Sequence, residues 1–183
     1  MFAIRLTATA ELRSLEPWQA EEFLAHADRA RDHVVPWVGW IGRSINQETA
    51  EANLQTYADK QAADTGRLFG IWLDGTLVGG CMFVSFDTTH GRCEIGCWTE
   101  PAGQGHGLVT AAVRCLLDYA LVERGLHRAE WHSAPDNPRS AAVAERLGMR
   151  YEGTMRGSHV ANGIRHDSEI RSVLRDEWLK LRG

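Results

Sequence analysis

In the run Gln104-Gly105-His106-Gly107-Leu108-Val109-Thr110, two glycines stand where an apolar, strand-like segment gives way to a helix-like one. Glycine lets the chain bend tightly and brings backbone close to a ligand, and the first turn of a helix offers N–H groups with no intrahelical partner. Together they suit a pyrophosphate. Gly-x-Gly also marks ordinary turns, so the loop by itself leaves both readings open and the surrounding elements must decide. Two other side chains have types suited to moving protons. Glu94 alternates with Cys93 and Ile95, which puts it on the strand face of Gly96 and Trp98. His159 carries an imidazole able to accept a proton near pH 7. A salt-bridge role for the first and a structural role for the second remain the alternatives.

The elements that would position these groups follow from periodicity and turn chemistry. Phe2 to Ser14 reads as one or two short strands. Pro17 suits the first turn of a helix to about Asp28, with Phe23, Leu24 and Ala27 on one side. A Trp-rich stretch from Val34 to Ile41 interrupts the helices. Ser44 or Asn46 then caps a second helix to about Asp64, with Ala50, Leu54, Tyr57 and Ala58 as its buried stripe. From Arg67 the pattern becomes extended. Leu68–Leu73 and Thr76–Phe86 flank Asp74-Gly75, a two-residue hairpin signal, and Arg92–Thr99 is the next strand. It runs into the glycine loop and a helix from Gly107 to about Arg124. Ala129–Ala134 reads as a strand parallel to its predecessor, since a helix separates the two. Pro138–Leu147 is a short helix stopped by Gly148, and Arg150–Val160 with Ile164–Leu174 form a hairpin around Asn162-Gly163. The expected architecture is a mixed sheet of six or seven strands, antiparallel at first and parallel near the middle, with helices on its faces.

Composition narrows the partners. At 183 residues, with 44% hydrophobic and 24% charged side chains, the chain has enough apolar surface for a folded core in one domain. A formal charge of −4 without a Lys/Arg run lacks the positive field that direct nucleic-acid binding needs. No stretch of about 18 apolar residues suggests a membrane span, and Phe2–Thr9 is too short and polar for a secretory segment. The cytoplasm is the expected location. Cys81, Cys93, Cys97 and Cys115 lie in apolar strand-like or helix-like stretches and read as buried reduced thiols. Cys93 and Cys97 are too widely spread along a strand for a tidy chelate, and no metal is expected.

Strand, glycine loop and helix in this order resemble the GNAT superfamily of N-acetyltransferases, whose acetyl-CoA motif reads Gln/Arg-x-x-Gly-x-Gly/Ala. Gln104-x-x-Gly107-x-Val109 matches except that Val109 replaces the usual small residue. The likeness is closer to the RimL-like ribosomal-protein N-acetyltransferases. It rests on Glu94-Ile-Gly-Cys-Trp98 before the loop, on Asp136-Asn-Pro-Arg-Ser140 with Arg146-Leu-Gly-Met149 and Glu152-Gly153, and on the terminal hairpin with Asp167. It covers about 67–174 well and the N-terminal helices loosely. The resemblance implies an α/β (α+β) fold, splayed between its central parallel strands and carrying helices on both faces. It divides a single domain 1–183 into an acceptor-side region, 1–66, and a core with the terminal hairpin, 67–183.

What the resemblance implies for the site is specific. Acetyl-CoA is the co-substrate, its pyrophosphate held by the backbone from Gln104 to Thr110. Its pantetheine arm would bond the backbone of Cys97, Trp98 and Thr99, with Asn137 contacting it from the other side. Ser140 occupies the position of a serine proposed to protonate the departing sulfur; a first-turn serine bonding its own backbone is the alternative. Glu94 and His159 are the two candidate bases, acting directly or through water. Trp37 and Trp40 fall where relatives cover the acceptor, or else pack between helices.

The acceptor is expected to be a protein N-terminal α-amine. With a pKa near 8 it costs about 1.4 kcal/mol to deprotonate at pH 7, against about 4.6 kcal/mol for a lysine. A basic N-terminal segment would also suit an acidic protein. A small-molecule amine is the alternative acceptor, and a non-catalytic acyl-CoA sensor is the alternative of another class. A homodimer is implied by resemblance only.

Overall fold

The computed structural model describes residues 3–161 and 164–182. Along the chain come β1 (Ile4–Arg5), β2 (Ala10–Ser14), α1 (Ala20–Val34), α2 (Gln47–Ala62), β3 (Arg67–Leu73), β4 (Thr76–Asp87) and β5 (Arg92–Thr99). They are followed by α3 (Leu108–Leu117), β6 (Arg128–Ser133), α4 (Pro138–Arg146), β7 (Arg150–Ala161), β8 (Ile164–Leu174) and α5 (Arg175–Arg182). The strands form one sheet in the order β1-β2-β3-β4-β5-β6-β8-β7. Eight strands stand where six or seven are expected, because the N-terminal stretch folds back on itself. Leu6 and Thr7 both donate to the Ala10 carbonyl, and that turn separates β1 from β2.

Two compact units make up the chain, each from two stretches: Met1–Phe83 with Cys97–Ala112, and Val84–Gly96 with Val113–Gly183. In the first, β1 to β4 are successive antiparallel neighbours. The β3–β4 hairpin turns at Asp74 and Gly75, with φ of +49° and +80°, the left-handed pair that a type I′ turn requires. α1 packs on α2, and α2 on β3. α1 runs six residues past its expected end at Asp28, since Ala27, Ala30 and Val34 continue the buried stripe beneath a charged exterior. Asn46 caps α2: its side chain accepts from the Thr49 N–H at 2.9 Å, while Thr49 Oγ1 accepts from the Asn46 N–H. Ser44, the other expected cap, is buried and its hydroxyl accepts from Asn53. Only Ala50 and Leu54 of the α2 stripe are fully buried; Tyr57 and Ala58 are half-buried.

In the second unit β5 and β6 are parallel, in register from Arg92↔Arg128 to Ile95↔Trp131, as the intervening helix requires. β8 lies antiparallel to both β6 and β7, leaving β7 at the edge. The expected Asn162-Gly163 turn lies outside the described residues, and the ladder runs up to Ala161↔Ile164 beside it. After Leu117 the helix continues as a π-helical stretch, Asp118–Glu123. α5 is absent from the sequence expectation. It is anchored by the buried Trp178, whose Nε1 donates to Asp118 Oδ1 at 2.8 Å. Asp176 and Glu177 in its first turn and Lys180 and Arg182 in its last are the signal that reveals it.

Candidate active site

The glycine loop has the shape its sequence suggests. Gly105 and Gly107 take φ of +79° and +70°, and a Cβ built on either would meet nothing within 4 Å. α3 begins at the next residue, Leu108, and the Ala111 N–H donates to the Gly107 carbonyl. The N–H groups of Leu108, Val109 and Thr110 belong to the first helical turn, where they have no intrahelical partner, and they follow three exposed residues, Gly105 to Gly107, whose two glycines leave open space where a Cβ would stand. A pyrophosphate fits such a cradle on both charge and space. His106 is exposed, and the Gln104 amide lies against His33 of α1, its Nε2 2.5 Å from the imidazole Nε2.

Upstream, the end of β5 is fixed by buried polar contacts. Trp98 is 3% exposed, and its Nε1 donates to His26 Nε2 at 2.9 Å. Its ring meets Trp40 edge-on at 5.5 Å. Accepting that hydrogen bond places the His26 proton on Nδ1, which lies 3.2 Å from Glu100 Oε2 but off the line of a good hydrogen bond. Arg29 spans both Glu100 oxygens through Nε and donates from Nη2 to the Leu77 carbonyl. Thr99 Oγ1 donates to backbone carbonyls of Val78 and Glu100, a structural role for its side chain. Burial pushes the Cys97 thiol up to about 12, which disfavours a thiolate nucleophile there.

Burial, with the nearby Arg29 charge second, pushes the His26 imidazole from 6.5 down to about 4. Between those values the unfolded chain takes up a proton that the native state refuses. Stability therefore falls as pH drops below 6.5 and this loss levels off under about 4. The full difference is about 3 kcal/mol, at 1.36 kcal/mol per pH unit. Urea titrations at pH 7.5 and pH 4 on the wild type and His26→Gln check it: the wild type should lose more stability by that amount, and equal losses would refute it.

In the second unit, Asn137 caps α4 and its Oδ1 accepts from the Ser140 N–H at 3.1 Å. The Ser140 hydroxyl does not turn back onto the helix. It accepts from the indole Nε1 of buried Trp131 at 3.0 Å, which uses one lone pair and keeps its hydrogen for donation. Sequence reasoning missed Trp131; its place on the buried face of β6, with Ala129 and Ser133, was the available signal.

Glu94 is half-buried, with its Oε1 3.8 Å from His132 Nδ1; His132 Nε2 lies 3.3 Å from Glu130 Oε2. The parallel register makes Glu94 and Glu130 lateral neighbours, so the His132 imidazole stands against two carboxylates. His159 is exposed and stacks on His166, its β8 partner, at 5.4 Å. Trp40 stacks on Phe23 at 5.7 Å as well as meeting Trp98, whereas Trp37 is 46% exposed. Among the described residues, no three His, Cys, Asp or Glu side chains are grouped to hold a metal ion, and no helix is long and apolar enough to cross a membrane.

Residues 10–150 match the family described as the Acetyltransferase (GNAT) domain. The chain belongs to the GNAT acetyltransferases. Within them it is 30% identical over 183 residues to YdaF of Bacillus subtilis (strain 168), provisionally named a ribosomal N-acetyltransferase, covering 97% of this chain and 98% of that one. A solved RimL structure, the α-N-acetyltransferase of ribosomal L7/L12 in complex with coenzyme A, shares the fold with a TM-score of 0.87 at 20% identity, over 94% of this chain and 97% of that one. The spermidine N(1)-acetyltransferase of Escherichia coli (strain K12) is 27% identical over 131 residues, 71% of this chain and 70% of that one. These likenesses support the RimL-like branch and an enzymatic role.

Proposed function

We propose that the chain, acting as a single cytoplasmic domain, transfers the acetyl group of acetyl-CoA to the N-terminal α-amine of a protein, a ribosomal protein being the leading class. The observation that carries the reading is the bare backbone cradle at Gly105 and Gly107, opening directly onto α3. In this reading the Leu108–Thr110 amides neutralise pyrophosphate charge, and the backbone of Cys97, Trp98 and Thr99 bonds the pantetheine arm, with Asn137 a further contact. A backbone N–H of Cys97 or Trp98 stabilises charge developing on the acetyl oxygen. Ser140 donates its hydroxyl proton to the departing thiolate. The amine attacks directly, without an acetyl-cysteine, in keeping with a Cys97 thiol too weakly acidic to ionise at neutral pH.

Glu94 is the base we favour over His159. It is half-buried with the His132 imidazole 3.8 Å away, whereas His159 faces solvent on the hairpin. Trp37 is the exposed aromatic left to meet the acceptor. The α-amine is favoured over lysine by its smaller deprotonation cost, about 3 kcal/mol less at pH 7.

A small amine is the second reading, favoured by the similarity to a spermidine acetyltransferase. A thiol-release assay comparing N-terminal peptides of ribosomal proteins with polyamines, aminoglycosides and nucleoside amines separates the two. Saturable turnover of peptides is expected; turnover confined to small amines would replace the first reading with the second. Binding of acetyl-CoA with no thiol release from any amine would point instead to a sensor. Sedimentation would establish whether the implied homodimer forms.

A further inference from the structure

Three residues of α1 meet three residues of the strand-to-loop segment in matching order. His26 receives the Trp98 indole N–H, Arg29 holds the Glu100 carboxylate, and His33 meets the Gln104 amide. Their spacing, i, i+3 and i+7, puts all three on one face of a helix. We propose that this polar stripe of α1, His26–Arg29–His33, is a positioning element that sets the Trp98–Gln104 backbone for acetyl-CoA. The inference rests on the proposed function, because it presumes that this backbone receives acetyl-CoA.

Stability by itself does not call for such a stripe. His26 and Glu100 are 0% and 4% exposed, and taking an imidazole and a carboxylate out of water costs free energy that apolar side chains of similar volume avoid. What the arrangement supplies is geometry. A Cβ on Gly80 would collide with the Trp98 ring, and one on Gly79 with the Trp98 carbonyl oxygen. The indole and its peptide thus both lie against bare β4 backbone, at two adjacent glycines. On the other side Trp40 closes on the ring edge. The Glu100 N–H donates to the Val78 carbonyl while Arg29 donates to that of Leu77, so α1, β4 and the end of β5 are cross-tied at adjacent residues. Four residues further on, His33 engages Gln104, the first residue of the glycine loop.

The test measures acetyl-CoA affinity by calorimetry, kcat with saturating acceptor, the melting temperature, and the ¹⁵N-labelled Trp98 indole N–H resonance. Three variants are compared with the wild type: His26→Leu, His26→Gln and His33→Ala. Glutamine can still accept from Trp98 and donate towards Glu100, whereas leucine can do neither. We expect His26→Leu to displace the indole resonance and weaken acetyl-CoA binding about tenfold, with His26→Gln restoring affinity to within about threefold. His33→Ala, at a half-buried position, is expected to weaken binding about fivefold with little change in melting temperature.

Unchanged affinity in His33→Ala would overturn the proposal, and so would a loss in His26→Leu that His26→Gln fails to restore, since that loss would report only a damaged core. Should His26→Leu not fold, His33→Ala decides. A wild type that binds no acetyl-CoA would instead refute the proposed function, so the two failures are distinguishable.

Discussion

Ser140→Ala is expected to lower kcat by roughly ten- to a thousandfold while leaving acetyl-CoA affinity nearly unchanged, the range usual for loss of a positioned acid. The expectation follows from how the hydroxyl is held. Trp131 Nε1 occupies one oxygen lone pair at 3.0 Å, and Asn137 satisfies the Ser140 N–H at the start of α4. Neither contact consumes the hydroxyl hydrogen, so the group is oriented and still able to donate. Alanine removes the donor and leaves the indole N–H without that acceptor, a cost of about 1–3 kcal/mol in stability that a melting curve would register separately. Trp131→Phe should give a smaller kcat loss, roughly threefold to tenfold, because Ser140 remains but its orientation is no longer fixed. Steady-state kinetics with varied acceptor and acetyl-CoA check both variants. A Ser140→Ala enzyme with wild-type kcat would remove the serine from the chemistry.

Gly107→Val should abolish most acetyl-CoA binding, raising Kd by roughly thirtyfold or more, while the fold survives. The penalty is conformational rather than steric. A Cβ at this position meets nothing within 4 Å, yet φ is +70°, a region where an L-residue costs about 1–2 kcal/mol and a β-branched one more. The loop would relax to a negative φ, and the Leu108–Thr110 amides would turn from the pyrophosphate. Gly39→Val is a useful control, since Gly39 is equally open but lacks a positive φ, and its cofactor affinity should match the wild type. Calorimetry that finds normal acetyl-CoA affinity in Gly107→Val would contradict the placement of the cradle.

Much of this protein is written in local pattern. The Asp74-Gly75 turn, the bounds of β5 and the start of α4 at Pro138 all agree with expectation, because each is set by neighbours in sequence: a left-handed pair, an alternating run, a proline after its cap. The glycine loop was legible for the same reason. The end of α1 was not, because Ala30 is a small residue within a charged run and gives a weak hydrophobic signal. α5 escaped because its single buried anchor, Trp178, leaves no periodic stripe.

The sequence alone determined the class of fold, the tight glycine loop and the start of the helix after it, since turn chemistry and helix starts need only a few consecutive residues. Tertiary structure decided which distant side chains hold them. Trp98 and His26 stand 72 positions apart, and Trp131 reaches Ser140 from another element. Periodicity tells which face of an element is buried, but a hydrogen bond between two buried faces depends on how those elements pack, and no local pattern carries that information.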